Sequence, residues 1–245
     1  IQEALDLPKG KLYTAFIDYN KAFYNNIKRK LEETLGPENY LTATTINILQ
    51  HNFVSIDNNI ERSQPITQTN GVLQGDSLSP LLFNIATADV IQAVTTESTK
   101  AYIYADDMAL SSRNPESLQT SLDNLAIWAE ENGLKINTKK SALLTFRKGG
   151  RIAEKERLHL GAEKLTIVNE YKYLGITMQT SGNTFNKHLK QKAIAVIAAM
   201  RDIRQIREIS LHTAMKIFRT KITPIITYGI HKIWDHLKLR DLKIL

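Results

Sequence analysis

The chain has 245 residues, 42% hydrophobic and 23% charged, with 11 Gly and 6 Pro, a globular composition with a core for one or two domains that excludes a fibrous or low-complexity polymer. It contains no cysteine, which excludes disulfides, Cys-bearing zinc sites and a thiol nucleophile, so any metal must sit on Asp, Glu or His. The net charge of +7 is uneven: residues 1–110 carry 8 Lys/Arg against 13 Asp/Glu, residues 111–182 carry 11 against 8, and residues 183–245 carry 13 against 4.

A C-terminal balance of +9 suits a polyanionic partner such as nucleic acid, through phosphate contacts and counterion release; a solvated basic helix surface is the alternative. The longest strongly apolar stretch, Ala193 to Met200, falls far short of the ~20 residues that cross a bilayer, and no N-terminal leader pattern is present. The expected location is soluble and intracellular, with no membrane partner.

In chain order, KLYTAFIDY alternates with period two and places Leu12, Thr14, Phe16 and Asp18 on one face of a strand. A helix follows to Leu35, closed by Gly36 and Pro37, and a second runs from Leu41 to about Gln50. After a polar loop near Gly71, Ser79 is the expected N-cap and Pro80 the first residue of a helix through LLFNIATADVIQAV. KAYIY and MALSS read as two strands joined by a tight turn bearing Asp106 and Asp107. Asn114 and Pro115 open a helix with an apolar stripe at Leu118, Leu122, Leu125 and Ala129, ending at Gly133. Strand-like runs return at SALLTFR, KLTIV and KYLGITM. From about Asn186 the pattern is helical, with Ser210 capping a second helix, Pro224 interrupting before a third, and the apolar Ala193–Met200 turns expected in a core. The expected fold class is α+β: a body of interleaved strands and helices followed by a basic α-helical appendage.

Adjacent carboxylates repel unless a cation binds them. Asp106 and Asp107 therefore suit a hard divalent metal, with Asp18 at the end of the first strand as the third carboxylate. Taken alone, Asp-Asp is also an ordinary polar turn. The six histidines show no zinc-ligand spacing such as HExxH and are assigned no metal.

The ordered blocks FIDYNKAF, GVLQGDSLSPLLFNI, YADDMAL, GLKINTKKS and YKYLG resemble the successive palm motifs of reverse transcriptases, RNA-directed DNA polymerases, and most closely those of non-LTR (LINE-type) retrotransposons. The tail KIFRTKITPIITYGIHKIW also looks like the region after the palm in those elements. The resemblance implies a polymerase palm, an antiparallel sheet with packed helices, over residues 1–182, including residual fingers-base helices at about 24–70, and a basic helical thumb-like region over 183–245.

It further implies two Mg²⁺ ions, or Mn²⁺, on Asp18, Asp106, Asp107 and the backbone carbonyl of Tyr19, acting in nucleotidyl transfer from a dNTP to a DNA primer 3′-hydroxyl on an RNA template. Phe23 falls at the aromatic gate against the sugar, while Gln74 and Gly75 match the substrate-contacting Gln-Gly. Lys140 matches the lysine near the leaving pyrophosphate, although Lys139–Lys140 is also an ordinary solvated pair. Tyr173, Leu174 and Gly175 match the primer grip and serve equally as a core segment. Arg201, Arg204 and Arg207 advance along one helix side, as a face that tracks phosphates would; a solvated face does the same.

The family's acid after the gate aromatic is replaced by Tyr24, and only 17 residues precede Asp18, where a fingers segment with basic residues is expected in a longer product. Two functions stay open: a polymerase domain, probed by primer extension, and a catalytically incomplete nucleic-acid-binding remnant of such an element. A two-metal nuclease is a more distant third. Family resemblance is compatible with the nucleus as the compartment.

Overall fold

Strand β1, Lys11–Ile17, is buried on both faces over its second half, Tyr13 to Ile17, as a strand flanked on each side must be. In the computed structural model, which describes residues 10–20, 24–58, 60–67, 75–147, 149–180, 184–203, 210–234 and 237, β1 is the middle strand of a five-stranded sheet. The other members are β5 (Thr99–Tyr104), β6 (Asp107–Ser112), β8 (Ala142–Arg147) and β11 (Thr166–Val168), in the order β11-β8-β1-β6-β5. The five strand pairs with defined register, β2–β7, β3–β4, β5–β6, β9–β10 and β12–β13, are all antiparallel. Here β2 is Tyr19–Asn20, β3 Phe53–Val54, β4 Ile66–Thr67, β7 Lys135–Ile136, β9 His159–Leu160, β10 Glu163–Lys164, β12 Glu170–Tyr173 and β13 Ile176–Gln179.

The fold class is α+β. The chain divides into two compact units, one of Thr14–Leu143 with Ile152–Thr166, the other of Ile1–Tyr13 with Leu144–Arg151 and Ile167–Leu245.

In the first unit, helix α1 (Tyr24–Leu35) buries Ile27 and Leu31 at i,i+4 spacing against Leu49 of α2 (Tyr40–Gln50) and Leu82 and Ala86 of α3 (Ser79–Ala86). Asn39 caps α2, its side chain accepting from Leu41 N–H at 2.8 Å. Helix α5 (Pro115–Glu131) is capped by Asn114 as its sequence predicts, and Leu118, Leu122, Leu125, Trp128 and Ala129 line its buried face.

Several expectations are corrected. Ser79 is the first helical residue and not the cap; Leu78 holds that position without a side-chain cap bond. The helix expected through Val94 breaks after Ala86 and resumes as α4, Val90–Val94. At the break the Thr87 hydroxyl donates back to Phe83 O at 2.9 Å, and Asp89 turns toward Lys30 and Trp128. KYLGITM is two strands, β12 and β13, joined at Leu174–Gly175.

The second unit packs β13 residues Ile176 and Met178 on Phe185 and Leu189, the latter on helix α6 (Asn186–Asp202), together with Ile233 of helix α9 (Ile230–Ile233). Between α6 and α9 lie α7 (Leu211–Ile217), a π-helical turn Phe218–Ile222 and α8 (Thr223–Thr227). Ser210 caps α7 as expected, accepting from Thr213 N–H at 3.2 Å. The stretch Ala193–Met200 is not core: Ile194, Ile197 and Met200 are 67%, 51% and 48% exposed. Its four alanines support a helix by backbone propensity alone, without burial.

A nearly buried lysine organises the break before α4. Lys30 Nζ lies 2.5 Å from Asp89 Oδ2, and Trp128 Nε1–H donates to Asp89 Oδ1 at 3.2 Å. Burial pushes the Asp89 carboxyl up, but the Lys30 hydrogen bond and charge and the Trp128 N–H outweigh it, so the net shift is downward. A carboxyl lowered in the folded state adds stability above its unfolded pKa of about 4, and that contribution is lost as pH falls through the folded value. We expect Asp89→Asn to cost about 1 kcal/mol in urea denaturation at pH 7, because Lys30 is left with only the Glu33 carboxylate at 3.5 Å, and the difference from wild type to shrink below about pH 4.

Candidate active site

Asp18 follows directly on β1 and Asp107 begins β6, and these strands are neighbours in the sheet. Thr14 Oγ1 meets Ser111 Oγ at 2.9 Å, while Tyr19 Oη donates to Met108 Sδ at 3.6 Å. As numbering rises along β1 it falls along β6, so the two run antiparallel. The two contacts bring the end of β1 to the start of β6, where Asp18 is close enough for its charge to raise the Asp107 carboxyl. Residues 88 positions apart in sequence, Asp18 and Asp106, thereby reach one end of the sheet.

The β5–β6 hairpin supplies the other carboxylate. Its register pairs Tyr104 with Asp107, so the loop is only Ala105–Asp106, and Asp107 is already a strand residue. Ala105 has φ +51°, the left-handed conformation that a two-residue hairpin loop of this class requires at its first position and that glycine takes more readily. The tight loop holds Asp106 and Asp107 side by side, both exposed.

Electrostatics registers this proximity. The Asp107 carboxyl is pushed up by partial burial, then by the charges of Asp106 and Asp18. Like charges opposite each other on a sheet are destabilising. The Tyr19 phenol is also pushed up, by burial.

Asp18 itself is held through its backbone. Its N–H donates to Ser141 Oγ at 3.1 Å, and its carbonyl accepts from Asn137 N–H at 2.8 Å. Tyr19 and Asn20 pair with Ile136 and Lys135. The segment Asn137–Ser141 is a closed turn: the Asn137 carbonyl accepts from Lys140 N–H at 3.1 Å, from Ser141 N–H at 2.9 Å and from the Ser141 hydroxyl at 2.9 Å. Lys139 and Lys140, both exposed, ride on this turn, so the lysine block is hydrogen-bonded to the backbone of Asp18. Ser141, 1% exposed, and Asn137 were not singled out from sequence. The signal was there in an Asn and a Ser four residues apart, a spacing suited to local side-chain bonds with the backbone.

Gly75 is in an exposed turn with φ +96°, a conformation that suits glycine. Tyr173, Leu174 and Gly175 form the β12–β13 turn of the second unit. Arg201 is exposed near the end of α6. Phe23, Gln74, Arg204 and Arg207 lie outside the described residues.

Among the described residues, no three Asp, Glu or His side chains are gathered closely enough to hold a metal ion as they stand. The donor set nevertheless suits Mg²⁺ or Mn²⁺ chemically, being hard carboxylate oxygens whose mutual repulsion a cation relieves.

Residues 2–178 match the family described as Reverse transcriptase (RNA-dependent DNA polymerase). The chain belongs to that family. Among curated proteins, the RNA-directed DNA polymerase from mobile element jockey of Drosophila melanogaster is 27% identical over 248 residues, covering 93% of this chain and 26% of that protein. The Retrovirus-related Pol polyprotein from type-1 retrotransposable element R2 of Nasonia vitripennis is 27% identical over 202 residues, covering 74% of this chain and 20% of that protein. These relatives are of the non-LTR kind that the motif order resembles, and the chain spans about a quarter of the jockey protein's length. Apo telomerase from Candida Tropicalis is similar with a TM-score of 0.49 at 12% identity, over 76% of this chain and 34% of that one.

A carboxyl raised in the folded state costs stability as pH rises through its folded value, because the charged form is the disfavoured one. We therefore expect Asp107→Asn to raise the reverse transcriptase domain's thermal midpoint at pH 7 by about 1–3 °C. That gain should vanish below about pH 4, where the wild-type carboxyl is protonated. A midpoint unchanged or lowered at pH 7 would show that the three charges do not repel in the fold.

Proposed function

We propose that this chain is the palm and thumb-like part of an RNA-directed DNA polymerase that adds deoxynucleotides to a primer 3′-hydroxyl along an RNA template. The observation that supports it most is the pair of β1–β6 contacts, Thr14 to Ser111 and Tyr19 to Met108, together with the effect of the Asp18 and Asp106 charges on Asp107. Residues 1–182 are read as palm and 183–245 as thumb-like.

Asp18, Asp106 and Asp107, with the Tyr19 carbonyl, would hold divalent cations, Mg²⁺ or Mn²⁺, two in the full reading. Such cations acidify the primer hydroxyl and neutralise charge developing on the leaving pyrophosphate. The protein's own part is positioning. Ser141 and Asn137 fix the Asp18 backbone on both sides, and the Ala105–Asp106 loop fixes the carboxylate pair. Lys140, on the turn bound to Asp18, is read as the group that gives a proton to the leaving pyrophosphate. The exposed left-handed turn at Gly75 leaves the backbone open to a nucleotide, with the Gln74 amide as a hydrogen-bonding partner. Phe23 is read as the ring that closes the space for a 2′-hydroxyl. Tyr173–Gly175 is read as the turn that meets the primer, and Arg201, Arg204 and Arg207 as phosphate contacts of the basic region.

The test is single-nucleotide addition to a DNA primer on an RNA template with Mg²⁺. We expect Asp106→Asn to abolish addition while leaving primer-template affinity within about twofold, since affinity rests on the basic helices and each phosphate neutralised steepens the fall of log affinity with log salt by about 0.9 on B-DNA. Addition at the wild-type rate by Asp106→Asn would overturn the reading. Salt-dependent binding with no addition by the wild-type chain is what a non-catalytic remnant gives. We also expect Phe23→Ala to admit ribonucleotides, and unchanged sugar discrimination would remove Phe23 from the site.

A further inference from the structure

The β12–β13 turn is strained in a way that its neighbours explain. The register Tyr173↔Ile176 leaves Leu174 and Gly175 as the two central residues. Their φ values are +47° and +78°, the pattern of a type I′ turn. Glycine adopts that conformation freely, but a leucine does so only under strain, so the surrounding structure must hold the tip in place.

The hold comes from the helices that follow in the same unit. Tyr228, in the turn between α8 and α9, donates its hydroxyl proton to the Leu174 carbonyl at 2.9 Å. Its ring sits against Gly175 so closely that a Cβ there would stand 2.7 Å from Tyr228 Cε1, which no side chain at position 175 could tolerate without moving the ring or the turn. On another side, Lys192 Nζ of α6 lies 4.8 Å from the Tyr228 ring centroid, in cation–π range. Behind the turn, the buried His188 ring accepts from Thr177 N–H at 3.3 Å through Nδ1, while its Nε2 faces Gly229, where a Cβ would stand 3.8 Å away. Tyr228 also walls an apolar cavity of about 940 Å³ bordered by Leu174, Ile176, Ile226, Ile230 and Trp234. Removing the whole ring would merge the turn with that cavity, so the informative change is removal of the hydroxyl alone.

We infer that Tyr228 is a positioning residue for primer binding: its hydroxyl and ring latch the Leu174–Gly175 turn to the C-terminal helices and fix the turn's height against the primer strand. This rests on the reading of Tyr173–Gly175 as the primer-contacting turn. The latch explains why a tyrosine stands opposite a glycine, since the ring needs the space at 175 and the hydroxyl needs the carbonyl at 174. It also explains how a leucine is kept at positive φ, because the hydrogen bond goes to that residue's own carbonyl.

The test uses the whole chain bound to an RNA-template/DNA-primer duplex with 2-aminopurine as the primer's 3′-terminal base. Fluorescence of that base reports whether the terminus is seated, and anisotropy of a distal dye reports total binding. Loss of one hydrogen bond predicts that Tyr228→Phe lowers the seating equilibrium by about 3- to 10-fold. Total affinity should stay within about twofold, being carried by phosphate contacts, and the thermal midpoint within about 2 °C. Leu174→Asp tests the underlying reading: aspartate tolerates positive φ better than leucine, yet its charge repels a primer phosphate, so seating should fall, with Leu174→Asn as the uncharged control. Seating unchanged in Tyr228→Phe but lowered in Leu174→Asp overturns the latch and leaves the primer-contact reading standing. Seating unchanged in Leu174→Asp overturns that reading and the latch with it. A fall in seating matched by an equal fall in midpoint and total affinity would make Tyr228 merely structural and likewise overturn the inference.

Discussion

The register between β1 and β6 is the constraint on which the rest of the site depends. Each strand brings one side of the acidic cluster, and a slip of one residue would turn every side chain on one strand to the opposite face. Two side-chain contacts guard against that slip: the Thr14–Ser111 hydroxyl pair in the middle of the strands and the Tyr19–Met108 contact at their end. Burial reinforces them. Ala15 to Ile17 and Met108 to Leu110 are almost fully enclosed, and either strand would expose apolar surface or bury a carboxylate if shifted.

The same register creates a local conflict. Three carboxylates share one end of the sheet, and the charges of Asp106 and Asp18 raise the cost of charging Asp107. The Asp89 carboxylate in the same unit is the contrasting case, drawn down by Lys30 and Trp128 into a satisfied structural network. Asp89 is drawn down by its partners, whereas Asp107 is raised by its acidic neighbours, and this difference separates a structural acid from a candidate functional cluster. Stability spent at the carboxylate end is offset by the cores beneath α1, α2 and α3 and along α5.

The elements with a strong period were legible in the sequence. The α5 stripe, its Asn114 cap and the alternation of β1 come directly from spacing. The meeting of Asp18 with Asp106 and Asp107 was legible only through the ordered motifs, because no local pattern states which strands will be neighbours. Where reading failed, the competing influence was tertiary. The helix through LLFNIATADVIQAV breaks because Asp89 is drawn to Lys30 and Trp128, and Ala193–Met200 is helical without being buried because alanine needs no core. KYLGITM conceals a hairpin because Leu174, a residue that ordinarily argues against positive φ, occupies the turn and is held there by Tyr228, 54 positions away. Ser141 passed unnoticed for a related reason. A small polar residue opening an apolar strand looks like a boundary marker, and its bond to the Asp18 backbone appears only in three dimensions.

The central claim, that β1 and the β5–β6 loop form one divalent-cation site, is tested most directly by iron-mediated cleavage. Fe²⁺ replaces Mg²⁺ on carboxylate sites, and in the presence of ascorbate and peroxide it cuts the backbone nearest to where it binds. The account predicts two cuts in the wild-type chain, one beside Asp18 and one beside Asp106–Asp107, both suppressed by excess Mg²⁺ and both lost together in Asp18→Asn. A cut at the Asp106–Asp107 loop that persists unchanged in Asp18→Asn, with none beside Asp18, would show that the two segments do not share an ion and would contradict the account.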